Sequence, residues 1–301
     1  MVQKNTCPNC KSNEVIKWGK RKTQNRGLIQ RYKCKECNKK FTLGDGFFRM
    51  RNSQNKITLC LDLFFKGVLT RKVQEHLHAF YPHNSSNVSI YNWVIKYSKI
   101  ISNHTNMIKV NSGSEIEVDE VEYKRRKFHN KVGVEQNWFI DSIDTKTRYM
   151  LSSEYFKSRG TKEITKVIKD IENKTNNNIT TIATDGLNAY PKVLKKLYGY
   201  NKRLGKLNIN HKKTISSKTH VFNYKIERMH NSIRQLTQNF RGFHGSLDSA
   251  KSIMKGYEVY YNFIRKHQAL NCCPYELATE LKLTSNNKWI ELIELAKEEG
   301  I

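Results

Sequence analysis

Cys7-Pro-Asn-Cys10 and Cys34-Lys-Glu-Cys37 constrain this chain more tightly than any other feature. Each CxxC turn offers two thiolates from one knuckle. Two knuckles complete the four-sulfur tetrahedron that zinc prefers. No apolar run reaches the roughly 18–20 residues of a spanning helix, and the opening MVQKNTCPNC lacks a signal-peptide core. The expected setting is the cytoplasm, with nucleoid association and no membrane. Thiols stay reduced there, so one structural Zn²⁺ is expected at Cys7, Cys10, Cys34 and Cys37 rather than disulfides. The flanks Glu14–Trp18, Ile29–Lys33 and Lys39–Thr42 suit three strands, giving a zinc ribbon over residues 1–45. Lys17, Lys20, Arg21, Lys22, Arg26, Arg31 and Lys33 make it basic. DNA contact and a purely structural or protein-docking ribbon both fit.

The net charge of +27 points to a polyanionic partner. The charge is spread along the chain rather than gathered in a tail, which favours double-stranded DNA held over a large surface. A hydrophobic content of 38% supports real cores and argues against wholesale disorder.

Residues 46–104 read as helices. Ile57, Leu61, Phe64 and Phe65 share one face, and Gly67 ends that helix. Thr70 is placed to cap a second helix carrying Val73 and Leu77, and Pro82 lies in the break that follows. A third carries Ile90, Trp93, Val94 and Tyr97 on one side. The pattern fits an all-α helix-turn-helix DNA-binding domain, with Ser89, Tyr91, Asn92 and Lys96 open to a DNA groove. A plain three-helix bundle fits as well. Residues 103–114 are polar and read as a linker.

Strand texture begins at Glu115–Tyr123 and continues at Trp138–Ile143 and Arg148–Ser153, with a turn at Asp144-Thr145-Lys146. Gly160–Asn173 has helical period, Ile179–Thr184 is a short apolar strand, and Leu187–Tyr198, Lys225–Phe240 and Ser246–Arg265 read as helices. The result is an α/β domain over 113–275, a mixed sheet with helices on both faces. Residues 276–301 form a C-terminal helical tail. The basic stretch 199–224, with Lys202, Arg203, Lys206, Lys212, Lys213 and Lys218, fits a DNA-binding loop or a solvated surface.

Acidic residues are unevenly placed. Between Glu172 and Asp248 only Asp185 and Glu227 occur, against fourteen Lys and Arg. Carboxylates repel a phosphate backbone, so those retained in such a stretch need a reason. Asp119 lies in the first strand of the domain, Asp185 closes the fourth, and Glu227 is on a helix. Three hard oxygen donors suit two Mg²⁺ or Mn²⁺ ions rather than zinc. Two such ions activate a nucleophilic oxygen and stabilise the leaving oxygen of a phosphodiester. Strand alternation turns Glu120 and Glu122 away from Asp119 and leaves Glu117 on its face. On the helix, Asn231 and Arg234 share the Glu227 face with His230 beside them, and Arg228, His230, Asn231 and Arg234 are the candidate DNA contacts. Taken singly, Asp185 also fits a turn or N-cap, and Glu227 a surface ion pair.

Val118-Asp119-Glu120, NWFIDSIDTKTRYM at 137–150, Thr184-Asp185-Gly186, YKIERMH at 224–230 and YYNFIRKHQAL at 260–270 together resemble the acidic-triad transposases of prokaryotic insertion sequences. The similarity is greatest to the insertion-sequence family numbered six and its archaeal relatives. This resemblance covers nearly the whole chain. It implies a ribonuclease-H-like fold and a catalytic triad of Asp119, Asp185 and Glu227. It matches Arg234 to the basic residue after the glutamate. Asn262, Arg265 and His267 correspond to a motif that braces the site or touches DNA. It further implies recognition of terminal inverted repeats, strand transfer into target DNA, and a homodimer or higher oligomer. Cys272-Cys273 departs from the pattern without touching the triad. A non-catalytic DNA-binding regulator and a nuclease or junction resolvase on the same fold are the alternatives.

Overall fold

The computed structural model of the chain describes residues 6–23, 27–42, 46–47, 50–81, 85–126, 134–176, 178–214, 223–239 and 246–298. Arg26, Pro82, Lys218 and Phe240, each part of an expectation above, lie outside these residues.

At the N-terminus β1 (Val15–Thr23) pairs antiparallel with β2 (Gly27–Cys34), and β3 (Lys40–Phe41) adds to β2. Among the described residues 6–42 only Cys7 and Cys34 are buried. This sheet therefore has almost no apolar core of its own. Trp18 lies exposed on β1, with Lys33 and Lys40 over its ring at 4.9 and 5.1 Å.

Three helices follow: α1 (Gln54–Phe65), α2 (Thr70–Phe80) and α3 (Asn87–Thr105). The apolar periodicity is borne out, since Ile57, Leu61, Phe64, Phe65, Val73, Leu77, Ile90, Trp93, Val94 and Tyr97 are all buried. Ser53 caps α1 by accepting from the Lys56 N–H, and Ser86 caps α3 by accepting from the Ser89 N–H. Thr70 is not a cap. It is the first helical residue, Leu69 occupies the cap position, and no side chain caps that end.

The α/β region holds a five-stranded sheet of order β10-β7-β4-β5-β6. β4 (Glu115–Arg126), β5 (Val134–Asp144) and β6 (Met150–Phe156) form an antiparallel meander. β7 (Thr181–Thr184) lies parallel to β4, and β10 (Asn210–Lys213) parallel to β7. The mixed sheet with helices on both faces is consistent with a ribonuclease-H-like domain. α4 (Thr161–Thr175) and α5 (Ala189–Tyr198) cover one face. The other carries α6 (Tyr224–Asn239) on β4 and β5, and α7 (Leu247–Val259) on β6.

Sequence reasoning missed the fifth strand. Residues 199–224 read as a basic loop, yet they contain the hairpin β8 (Tyr200–Asn201) and β9 (Lys206–Leu207) and then β10. An edge strand of sequence NHKK shows no apolar alternation, and only its pairing with β7 reveals it. The Ser246–Arg265 helix is also different. It is α-helical to Val259 and then widens into a π turn at Tyr260–Ile264. That turn carries Asn262, whose amide accepts from the Met150 N–H and donates to the Met150 carbonyl, clamping the helix end to β6.

The N-terminal helices pack onto this domain. α3 lies against α7, and the contact passes over Gly256. A Cβ there would fall 2.1 Å from Ser98 Oγ and 2.4 Å from Phe65 Cζ, so only glycine permits the approach. α8 (Pro274–Ala278) precedes α9 (Lys288–Glu298), which packs on α1 and α3 through Trp289, Leu292 and Ile293. Asn287 and Trp289 also donate to Thr58 and Asp62 of α1. The polar 103–114 segment is pinned too: the Val110 N–H reaches the Lys174 carbonyl and the Asn111 N–H the Ala278 carbonyl.

Candidate active site

Asp119 sits on β4 one residue past the point where β7 stops, since the last pair is Val118 with Thr184. Asp185 follows β7 into the same gap. Carboxylate oxygens of Asp119, Glu120 and Asp185 lie within 4.8 Å of one another. Two of the three expected acids thus converge. The third member of the cluster is Glu120, which alternation had turned away. Beyond Thr184 no strand among the described residues flanks β4 on this side, and two successive side chains both reach the gap. Glu120 keeps its expected face in one respect. It accepts a hydrogen bond from the Tyr190 hydroxyl of α5, and Arg159 lies 3.8 Å away.

Burial pushes the Glu120 carboxyl up to about 7, with help from the charges of Asp185 and Asp119 and against the pull of Tyr190 and Arg159. Three carboxyl groups this close form a set whose mutual repulsion a divalent cation would relieve. The donors are all hard oxygens, which fits Mg²⁺ or Mn²⁺ chemistry. Asp185 also does what a turn Asp does: its Oδ1 accepts from the Leu187 N–H at 2.9 Å.

α6 is fixed over β4 by two acids. Glu117 is buried and its carboxylate accepts from the Ile226 N–H at 2.8 Å, an anion at a helix N-terminus. One turn on, His230 is buried with Nδ1 3.5 Å from Asp119 Oδ2. Its Nε2 lies 3.1 Å from Asp141 Oδ2, an ion-pair distance whose angle falls short of a hydrogen bond. Burial alone would lower the His230 pKa. The carboxylates of Asp119 and Asp141 outweigh that and raise it to about 9. The sequence placed His230 near the site as a DNA contact, but it is buried against Asp119 and Asp141 and out of reach of DNA; Asp141, a fully buried acid on β5 opposite Asp119, was not singled out.

Glu227 is exposed on α6, three residues before His230, and lies outside the 4.8 Å cluster. Among the described residues it makes no ion pair. Arg228, Asn231 and Arg234 are exposed on the same helix, with Arg234 donating to Asn231 at 2.8 Å. On α3, Asn92 and Lys96 are exposed while Ser89 and Tyr91 are half-buried. Arg265 is half-buried, with its guanidinium 5.8 Å from the Tyr261 ring centre. His267 lies outside the acidic cluster and donates to the Tyr261 carbonyl. Burial holds its imidazole down at about 4, against that hydrogen bond and with Arg265, Arg148 and Arg228 nearby. Lys202 and Arg203 stand exposed at the β8–β9 tip.

The four cysteines form a second cluster, with all sulfurs within 4.8 Å. Cys7–Cys37 and Cys10–Cys34 are 3.5 Å apart, too far for a disulfide. A ZnS₄ tetrahedron with bonds of about 2.3 Å has edges of about 3.8 Å, close to this spacing. The cluster is therefore compatible with a zinc ribbon.

Residues 128–268 match the model of a family described as a DDE domain, of the IS240 transposase type. The matched segment holds Asp185, Glu227 and His230 but begins after Asp119, which is tied to the site by geometry. Among curated proteins none matches the chain. The Mos1 strand transfer complex is a similar solved structure, at 8% identity over 70% of this chain and 77% of that one. Its TM-score is 0.22, too low to carry an argument about fold or function. Among the described residues no helix is long and apolar enough to cross a membrane.

Proposed function

We propose that the chain cuts DNA strands at the ends of an insertion sequence and joins the freed 3′-hydroxyls to target DNA. The observation that carries this reading is the meeting of Asp119, Glu120 and Asp185 at the end of β7, in a chain whose residues 128–268 match a DDE domain model. Asp119, Asp185 and Glu227 would hold two Mg²⁺ or Mn²⁺ ions, with Glu120 as a further acid at the same point. Bound there, the ions polarise the phosphodiester and lower the pKa of the attacking water or hydroxyl. Glu227 joins the set through a rotamer turned toward Asp119, since His230, three residues along α6, already touches that carboxylate. Arg228 and Arg234 lie along the same helix, where their guanidinium groups suit phosphate oxygens. Asn231 holds the Arg234 fork in place.

The N-terminal modules supply recognition in this reading. The ribbon, with one Zn²⁺ on its four cysteines, and the helix-turn-helix of α1–α3 would bind terminal inverted repeats. Asn92 and Lys96, with Ser89 and Tyr91 beside them, face the groove, and Arg265 adds a backbone contact. A dimer or larger assembly would hold two ends. The family-six resemblance adds a replicative route through a cointegrate. Location in the cytoplasm on the nucleoid follows from the DNA partner.

The test is strand transfer with purified protein, Mg²⁺ and DNA carrying the element's ends. Cleavage with 3′-end joining is the expected result. Protein that binds the ends yet never cuts or joins them is a regulator, and the enzyme reading fails. Cleavage of branched DNA without joining would make it a nuclease.

A further inference from the structure

Asp141 is fully buried on β5, directly opposite Asp119 in the antiparallel register and on the same sheet face. Neither of its carboxylate oxygens has a hydrogen-bond partner among the described residues. Its compensation is the His230 ring, with Nε2 at 3.1 Å. A carboxylate in a sheet core costs more than packing returns unless it is paired. Holding α6 in place does not explain it, because Glu117 already anchors the start of that helix.

The other side of the ring supplies the explanation. His230 Nδ1 faces Asp119 Oδ2 at 3.5 Å, while Asp119 Oδ1 accepts from the Glu120 N–H at 2.8 Å. Both Asp119 oxygens are thus held, one by the strand's own backbone and one by the imidazole. The imidazole is in turn held by Asp141. We propose that Asp141 and His230 are a positioning pair that fixes the plane in which Asp119 presents its carboxylate to a divalent cation. This rests on the assignment of Asp119 as a metal ligand in the proposed function. The pair reaches neither DNA nor the cation and acts only through Asp119. Such a carboxylate–histidine–ligand chain is a recurrent way of orienting a metal-binding group.

The experiment uses full-length, zinc-loaded protein with Mn²⁺ as probe, free Mn²⁺ being read by electron paramagnetic resonance. Asp141→Asn keeps the shape and removes the charge. We expect Mn²⁺ binding weakened about 10- to 100-fold, a fall in kcat for end cleavage, and an unchanged KM for DNA. Asp141→Asn/His230→Asn replaces the pair as a unit, leaves no unpaired buried charge, and is expected to show the same Mn²⁺ loss. If that double variant, or a folded Asp141→Asn, binds Mn²⁺ as the wild type does, the pair has no positioning role. If wild-type protein binds no Mn²⁺ beyond its zinc, the metal-site reading itself fails, and the positioning pair with it.

Discussion

The cysteine cluster and the carboxylate cluster are both groups of metal-binding side chains, but they are built in opposite ways. The four cysteines come from two tight turns on one small sheet, where Cys7 and Cys34 are the only buried side chains among the described residues 6–42. The acids come from β4 and β7, held by a core that runs from α1 to α9. In the first case, order comes from the ligands. In the second, the fold comes first and imposes close approach on groups that repel one another. One cluster should therefore be structurally dependent on its ion and the other not.

The strongest way to break the comparison is to remove the soft metal. Binding of structural zinc in small units is worth about 10–16 kcal/mol, and that energy is folding energy. Cys34→Ser should unfold residues 6–42 and leave the sheet domain intact. Limited proteolysis would show rapid cleavage of the first forty or so residues and a stable remainder. An ordered ribbon in Cys34→Ser would mean that it stands without its ion.

The reciprocal change should spare the fold. Asp185→Asn removes a proposed ligand of the hard ions, each of which contributes several kcal/mol to the transition state, so cleavage should fall by about 10³-fold or more. The thermal midpoint should stay level or rise as repulsion among the three acids is relieved. A variant that keeps its activity would take Asp185 out of the site.

Burial of Glu120, with the charges of Asp185 and Asp119 adding to it, also predicts a pH dependence without added Mg²⁺. The Glu120 carboxyl is raised from 4.5 to about 7 in the folded chain. Between these values the folded state binds more protons than the unfolded one. Stability should therefore fall as pH rises through that window, by about 3 kcal/mol at most. Urea unfolding across the window should show the slope in wild type and its loss in Glu120→Gln. An equal slope in both would assign the effect elsewhere.

The smallest expected effect tests the core that does the assembling. Gly256→Ala places a methyl against Ser98 and Phe65 and should destabilise the sheet domain by about 1–3 kcal/mol. The zinc content should not change. Loss of zinc in this variant would show that the ribbon depends on the core after all.

Sequence by itself determined what depends on near neighbours. The CxxC spacing, the 3.6-residue periodicity of α1, α2 and α3, the strands β4 to β7 and the candidates Asp119 and Asp185 were all legible, because each rests on a local pattern or on a charge that stands out. Tertiary structure decided the rest. β10 became a strand only by pairing with β7, as a polar edge carries no pattern of its own. Glu120 entered the acidic cluster because β7 stops one residue short of Asp119, a fact of pairing length. Asp141 looked like any strand acid until the β4–β5 register set it opposite Asp119 and α6 laid His230 between them. A side chain's type is written in the chain, but which charges share a dry site is settled only when distant segments pack.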